Sequence, residues 1–317
     1  MKKKCTRREW LLKGSVASGV GLAAASLPAT QAAAAESDSK EPFRYCLNTS
    51  TLMGQKLDVV ELVEITAKAG YQGIEPWLNE LDRYMKQGGN LKELGRRIQD
   101  RGLKVEGAID FFEWIVDDKA RRKKALEQAR RSMEMVQHIG GKRLAAPPAG
   151  ATKQTNMNLL QAAERYRALV DIGEQFGVIP QVEVWGFSQT LGRLGEAALV
   201  AMESGHPQAC VLADVYHLYK GGSSLSGLRL FNGMAMHVLH FNDYPAKPPR
   251  ESISDAQRVY PGDGVAPLKA ILRDLRDIGF RGALSLELFN RDYWKQDALQ
   301  VARTGLEKMR AAVQKSF

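Results

Sequence analysis

Residues 159–185 read LLQAAERYRALVDIGEQFGVIPQVEVW. Leu159–Phe176 alternates apolar and polar residues at helical spacing, and Gly177 follows where a left-handed cap is wanted. Ile179–Trp185 is a short β-rich run that sets Glu183 inside apolar residues near its end. The unit is helix, glycine stop, strand, and then an acid at the strand's carboxyl end.

The same unit recurs along the chain. Strands are expected over 44–50, 73–77, 104–110, 143–147, 179–185, 209–215, 237–242 and 283–289. Helical patterns over 59–69, 91–101, 120–138, 159–176, 192–203 and 268–278, with a last one over 297–313, lie between and after them. Gly70, Gly102, Gly140 and Gly205 stop other helices as Gly177 does. This alternation predicts an α/β fold, a single-domain (β/α)8 TIM barrel over 43–317. An open doubly wound sheet competes, but no Gly-x-Gly-x-x-Gly follows the first strand, so its dinucleotide-binding form has no support.

The chain has 317 residues and a formal charge of +9. Residues 1–35 carry Lys2, Lys3, Lys4, Arg7, Arg8 and Lys13 against Glu9, a net of +5 that leaves the remainder at +4. That distribution describes a basic leader and not a nucleic-acid footprint. Arg7 and Arg8 precede a mildly apolar run from Gly14 to Ala25, and Ala32–Ala35 offers cleavage sites. Residues 1–35 are therefore expected to be a twin-arginine signal peptide, 36–42 a linker, and the protein exported to a periplasmic or other extracytoplasmic space by the twin-arginine machinery. The apolar run is too short, and too rich in Gly, Ala and Ser, to be a stable membrane span. Cys5 leaves with the leader, so Cys46 and Cys210 could form at most one disulfide, with buried free thiols the expected state.

In a barrel of this kind, chemistry sits at the carboxyl ends of the strands. There the sequence places Glu183, Asp214, His240 and Glu287, each flanked by apolar residues of opposite parity that would face the helices. Buried carboxylates without a partner are costly, so three of them with one imidazole call for a cation. The donor set suits a single divalent ion, Mn2+, Mg2+, Co2+ or Zn2+, with positions left for water or substrate oxygens.

Six stretches carry a resemblance to a known family: Gly70-Tyr71-Gln72-Gly73-Ile74-Glu75, Glu183, Asp214-Val215-Tyr216-His217, His240-Phe241-Asn242-Asp243, Pro261-Gly262-Asp263-Gly264 and Glu287. Over nearly all of 43–312 the chain resembles the xylose isomerase-like barrel superfamily, most of all its ketose 3-epimerase, hydroxypyruvate isomerase and inosose dehydratase branches. The resemblance implies that Glu183, Asp214, His240 and Glu287 are the metal ligands and that Glu183 and Glu287 are also the catalytic acid/base pair, one on each face of the substrate. It implies that His217 touches a substrate oxygen and that Glu75 lies near the substrate. The epimerases carry an arginine six residues after the strand-seven histidine, where this chain has Ala246; either Lys247, Arg250 or Arg258 takes its place at the substrate, or the substrate differs. The resemblance leaves a homo-oligomer open.

Trp77, Phe111, Phe112, Trp114 and Trp185 fall in loops of the same face, where aromatic planes either stack on a sugar or pack the barrel mouth. His237 has the opposite parity to His240 and is expected to face the helices, and His206 is expected to be exposed. The leading expectation is a sugar isomerase or epimerase acting by proton transfer through a metal-bound enediolate on a ketose or related polyol. A metal-dependent lyase acting on a keto-inositol or 3-keto-glycoside is the alternative. A non-catalytic sugar-binding barrel and a multi-metal DNA-repair nuclease stand further off, the latter because five histidines are too few and the leader points away from the genome.

Overall fold

A computed structural model describes residues 42–317. The leader and all of the expected linker except Pro42 lie outside the described residues.

The described chain alternates strand and helix. In order it runs β1 (Arg44–Asn48), α1 (Val59–Ala69), β2 (Gly73–Glu75), α2 (Leu78–Lys86), α3 (Leu91–Asp100), β3 (Lys104–Val105), α4 (Lys119–His138), β4 (Arg143–Ala146) and α5 (Leu159–Phe176). It continues through β5 (Ile179–Glu183), α6 (Leu194–Glu203), β6 (Val211–Asp214), α7 (Val215–Lys220), β7 (Val238–His240), α8 (Leu268–Asp277), β8 (Ala283–Leu286) and α9 (Ala298–Gln314). All pairings are parallel, in the order β3-β2-β1-β8-β7-β6-β5-β4. The ring closes where the Ala145 N–H donates to the Ala108 carbonyl at 2.9 Å, so the sheet is a (β/α)8 barrel.

The local reasons are legible. Asp58 accepts the Glu61 N–H and the Glu61 carboxylate accepts the Asp58 N–H, a capping box that starts α1. Gly70 and Gly177 end α1 and α5 at φ +96° and +64°, a backbone region that side chains with a Cβ rarely adopt. Cys46 and Cys210 are buried free thiols, as expected. Among the described residues no helix is long and apolar enough to cross a membrane.

Two differences from expectation shape the site. Every strand leaves the ladder earlier than its apolar run suggests, because the strand-end residues turn into the loops of the mouth. The strand expected over 104–110 stops at Val105. A Cβ at Gly107 would lie 2.2 Å from Glu75 Oε1, so the chain bends there around a buried carboxylate and meets β2's extension again only at Ile109. Val215, expected as an outward strand residue, instead opens α7, because the Asp214 side chain accepts the His217 N–H at 2.9 Å and caps a helix. Helix α2 was not anticipated either.

Most of the core lies between sheet and helices, and a separate apolar cluster of Ile109, Ala145, Leu212 and Val238 plugs the barrel interior. Asp214 and His240 stand two residues beyond Leu212 and Val238, on the same face and one layer higher. Outside the sheet, the Tyr166 hydroxyl sits between β5 and β6, donating to the Pro180 carbonyl at 2.8 Å and accepting the Cys210 N–H at 3.2 Å. Tyr166→Phe strands both groups in a dry interface and is expected to lower stability by about 1–3 kcal/mol. Urea unfolding of the two proteins measures this, and an unchanged midpoint would remove the bridge from the account.

A candidate metal centre in the barrel mouth

His240 is the hub. It is fully buried, and its two ring nitrogens face different partners. Nε2 lies 3.1 Å from Glu75 Oε2, below it in the barrel. Nδ1 faces up into the mouth, 3.2 Å from Glu287 Oε2, 3.6 Å from Asp214 Oδ2 and 3.9 Å from Glu183 Oε1, with no hydrogen-bond partner of good geometry. The four residues picked from the strand ends therefore meet around one point. Asp214, His240 and Glu287 each offer an atom within 4.8 Å of the others, and Glu183 stands at the edge of that set.

Each donor is aimed by neighbours. Asp214 Oδ1 is held by the His217 N–H, which leaves Oδ2 turned toward the centre. Asn242 Nδ2 spans Asp214 and the Glu287 carbonyl, tying β6 to β8. Glu75 accepts from Ser285 Oγ at 2.7 Å and from Asn48 Nδ2 at 3.0 Å, so it is fixed before it meets His240. A carboxylate behind a histidine sets its tautomer and ring angle, as it commonly does behind a metal-ligating imidazole. Glu75 was expected near the substrate; it is instead fully buried beneath His240.

The electrostatics follow from burial. Desolvation pushes the Glu183 carboxyl up to about 8, with Glu287 and Asp214 adding to the push and His240 opposing it. Burial also opposes charge on His240, yet Glu287 and Glu75 outweigh it and hold the imidazole well above its usual range. Asp214 is the reverse of Glu183: burial works against its ionisation, but the Arg258 guanidinium holds it well below the usual carboxylate range. His217 is pushed down to about 4 by burial and by Arg258, so it stays neutral.

Arg258, named in the sequence as one of three candidate cations, reaches the centre itself. Its side chain is buried, and Nη1 donates to Asp214 Oδ2 at 2.7 Å and Glu287 Oε2 at 2.8 Å. Nη2 reaches His217 Nε2 at 3.1 Å and pairs with Asp255, while Tyr216 and Phe289 flank the guanidinium at 4.5 and 5.1 Å. Of the three cations considered in place of Ala246, this is the one in the mouth. Arg250 pairs with Glu251 at 3.4 Å and lines a separate cleft on the rim, so its expected contact with substrate is not met.

The donor set fits a divalent cation. Three carboxylates and an imidazole face the centre, His240 Nδ1 and Glu183 Oε2 lack partners, and Glu287 Oε2, which accepts from Arg258, keeps a further lone pair, whereas Asp214 Oδ2 accepts from both Arg258 and Asn242. A second group, Asp171, Glu174 and His206, lies on the outer surface. There His206, buried and not exposed as expected, accepts the Gln208 N–H at Nδ1. Its proton is then on Nε2, facing Glu174 at 3.3 Å, and no lone pair remains for an ion. His237 does not face the helices; it meets Arg143 at 3.1 Å beside the amino ends of the strands.

Above the centre is a cleft of about 380 Å3 that includes Glu183, Glu287, His217, Arg258 and Trp185 among its walls. Asn48 and Ser285 were missed, although strand-end parity marks both. Asp255 opens a single 3-10 turn and Phe187 lies in a loop, where no periodicity could have pointed to them.

One carboxylate fixes the loop that delivers Arg258. Asp243 accepts the N–H groups of Tyr244 and Ala266 on Oδ1 and those of Gly262 and Gly264 on Oδ2, at 2.7–3.1 Å. A Cβ at Gly264 would lie 2.3 Å from Asp243 Oδ1, which accounts for the glycine ending the Pro261-Gly262-Asp263-Gly264 motif. Asp243→Ala leaves these donors without their acceptor and is expected to destabilise the protein by roughly 3 kcal/mol or more. Chemical denaturation checks it; a loss below about 1 kcal/mol would mean that the loop holds without its pin.

Comparison with known proteins agrees with the fold. The family model described as xylose isomerase-like TIM barrel matches residues 63–312. An inosose isomerase of Bacillus velezensis is 27% identical over 281 residues, covering 87% of this chain and 99% of its own. A 3-dehydroshikimate dehydratase of Pseudomonas putida is 24% identical over 78% of this chain and 39% of its own. A crystal structure described as "IOLI protein with a binding zinc atom" superposes with a TM-score of 0.79 at 24% identity, over 87% of this chain and 99% of that one. Like its named relatives, the chain is an enzyme.

Proposed function

The chain belongs to the xylose isomerase-like TIM barrel family, and from that premise we propose that it is a divalent-metal-dependent isomerase or epimerase that moves a proton at the carbon beside a carbonyl of a ketose or related polyol. The observation that carries the reading is the placement of Glu183 and Glu287. They end β5 and follow β8, both line the cleft, and both turn toward His240 Nδ1 with Asp214 between them.

Glu183, Asp214, His240 and Glu287 would hold one ion, and a crystal structure of a relative is described with bound zinc. When bound, the metal would draw electron density from a substrate carbonyl and its neighbouring hydroxyl and so acidify the adjacent C–H. Glu183 and Glu287 would remove a proton on one side and return one on the other. His217, neutral and fixed by α7, and Arg258 offer hydrogen bonds to substrate oxygens. Trp77 and Trp185 supply apolar planes for the C–H face of a ring.

The lyase reading has equal support. A dehydratase stands among the relatives, and Ala246 takes the place of the arginine found in the epimerases. In that case the first proton removal is the same, and a group β to the carbonyl departs instead of a proton returning. The twin-arginine leader read in the sequence supports action outside the cytoplasm, on free sugars or glycosides.

Incubating the metal-loaded protein with ketoses, keto-inositols and keto-glycosides in D2O, followed by NMR, tests the proposal. Deuterium in an epimerised or isomerised sugar is expected, and an unsaturated product would select the lyase. Glu183→Gln and Glu287→Gln should each slow solvent exchange by about 100-fold or more; full exchange in both variants would end the acid/base assignment.

A further inference from the structure

The aromatic side of the cleft is larger than one sugar ring requires. Trp77, Phe111, Trp185 and Phe187 form a continuous series, with successive ring centroids 5.1, 5.5 and 5.3 Å apart, and Phe187 then meets His217 at 5.7 Å. All four line the cleft, but at different depths. Trp77 and Trp185 are half-buried, whereas Phe111 and Phe187 are 41% and 47% exposed. A pyranose face is about as wide as one aromatic ring, so a monosaccharide over the carboxylates uses the inner pair and leaves the outer pair wet. Apolar surface held open beside a site marks a place that a ligand covers.

The loop presenting Phe187 is built for rigidity. Leu191 is held at φ +54°, a left-handed conformation unfavourable for a residue of its size. A Cβ at Gly186 would lie 2.2 Å from the His217 carbonyl, and one at Gly192 would lie 2.3 Å from that of Ser188. The Ser188 hydroxyl donates to the Thr190 carbonyl, the Thr190 hydroxyl to Gln154, and the Gln189 N–H to Thr152. A strained, many-pointed fastening that holds an exposed phenyl ring over a cleft is a clamp and not a frayed loop. Phe187 also lines a second groove on the rim, with Arg193, Lys220 and Arg250.

We propose that the substrate is a glycoside of two linked rings, the reacting ring lying over Glu183 and Glu287 and the second ring stacking on Phe111 and Phe187. This rests on the proposed function for the placement of the reacting ring. The second ring gives binding energy remote from the reacting carbon, and a monosaccharide forgoes it.

Tryptophan fluorescence of the intact metal-loaded protein, titrated with D-glucose, cellobiose and phenyl β-D-glucopyranoside, tests the inference. The two-ring probes are expected to bind at least ten-fold more tightly than glucose. Phe187→Ala and Phe111→Ala, both at exposed positions, are expected to remove most of that advantage while leaving glucose affinity and thermal unfolding unchanged. Equal affinities, an advantage that survives in the double variant, or no saturable binding of either two-ring probe would overturn it. The readout involves no proton transfer. A two-ring preference without solvent exchange would keep this inference and sink the proposed reaction, and exchange on free keto-sugars without the preference would do the opposite.

Discussion

Charge compensation in a dry barrel is the constraint on which the rest of the structure depends. Glu75, Glu183, Asp214 and Glu287 are all buried in or just below the mouth, within reach of one imidazole. An uncompensated carboxylate there would be driven to take up a proton, and Glu183 shows the tendency. Arg258 supplies positive charge from the side, and His240, which holds a proton against the surrounding carboxylates, would give it up on binding a cation. The partnerless Nδ1 and the remaining oxygens face a common point at the top. The arrangement leaves a place for a cation.

Much of the surrounding backbone serves to keep those groups aimed. Asp214 acts twice, capping α7 with one oxygen while the other faces the centre. Gly107 gives the room that Glu75 needs to stand under His240. Asp243 gathers N–H groups from two turns and also forms an antiparallel bridge with Val259, next to Arg258, so the longest loop over the mouth ends in a fixed guanidinium. The floor is thus held by many fixed contacts, whereas the aromatic rim carries exposed rings. This division suits a family in which isomerases and dehydratases share one barrel.

The fold was legible because each strand and helix announces itself by period and by its stop signal. The glycines at 70, 102, 140, 177 and 205 all take positive φ, where the sequence placed helix ends. Strand ends were less legible, because apolar residues such as Val215 and Phe289 continue the pattern after the chain has left the ladder. The four central donors were readable from strand-end parity, since each is flanked by apolar residues of the opposite parity, which face the helices. Arg258 could only be named as one of three cations, because its place is set by Asp243 across a loop without periodicity. Glu75 was found but put in the wrong layer: sequence shows that it points inward, not that His240 stands above it. Phe187 gave no signal, since its exposure follows from glycine and left-handed geometry in a loop.

The central claim is that Glu183, Asp214, His240 and Glu287 share one ion. X-ray absorption at the metal edge of the loaded protein tests it most directly. The account predicts about one ion per chain, bound by a single imidazole nitrogen and carboxylate oxygens at about 2.0–2.2 Å, with the nitrogen signal lost in His240→Ala. An all-oxygen shell in the unaltered protein, or an imidazole signal that survives His240→Ala, would contradict it.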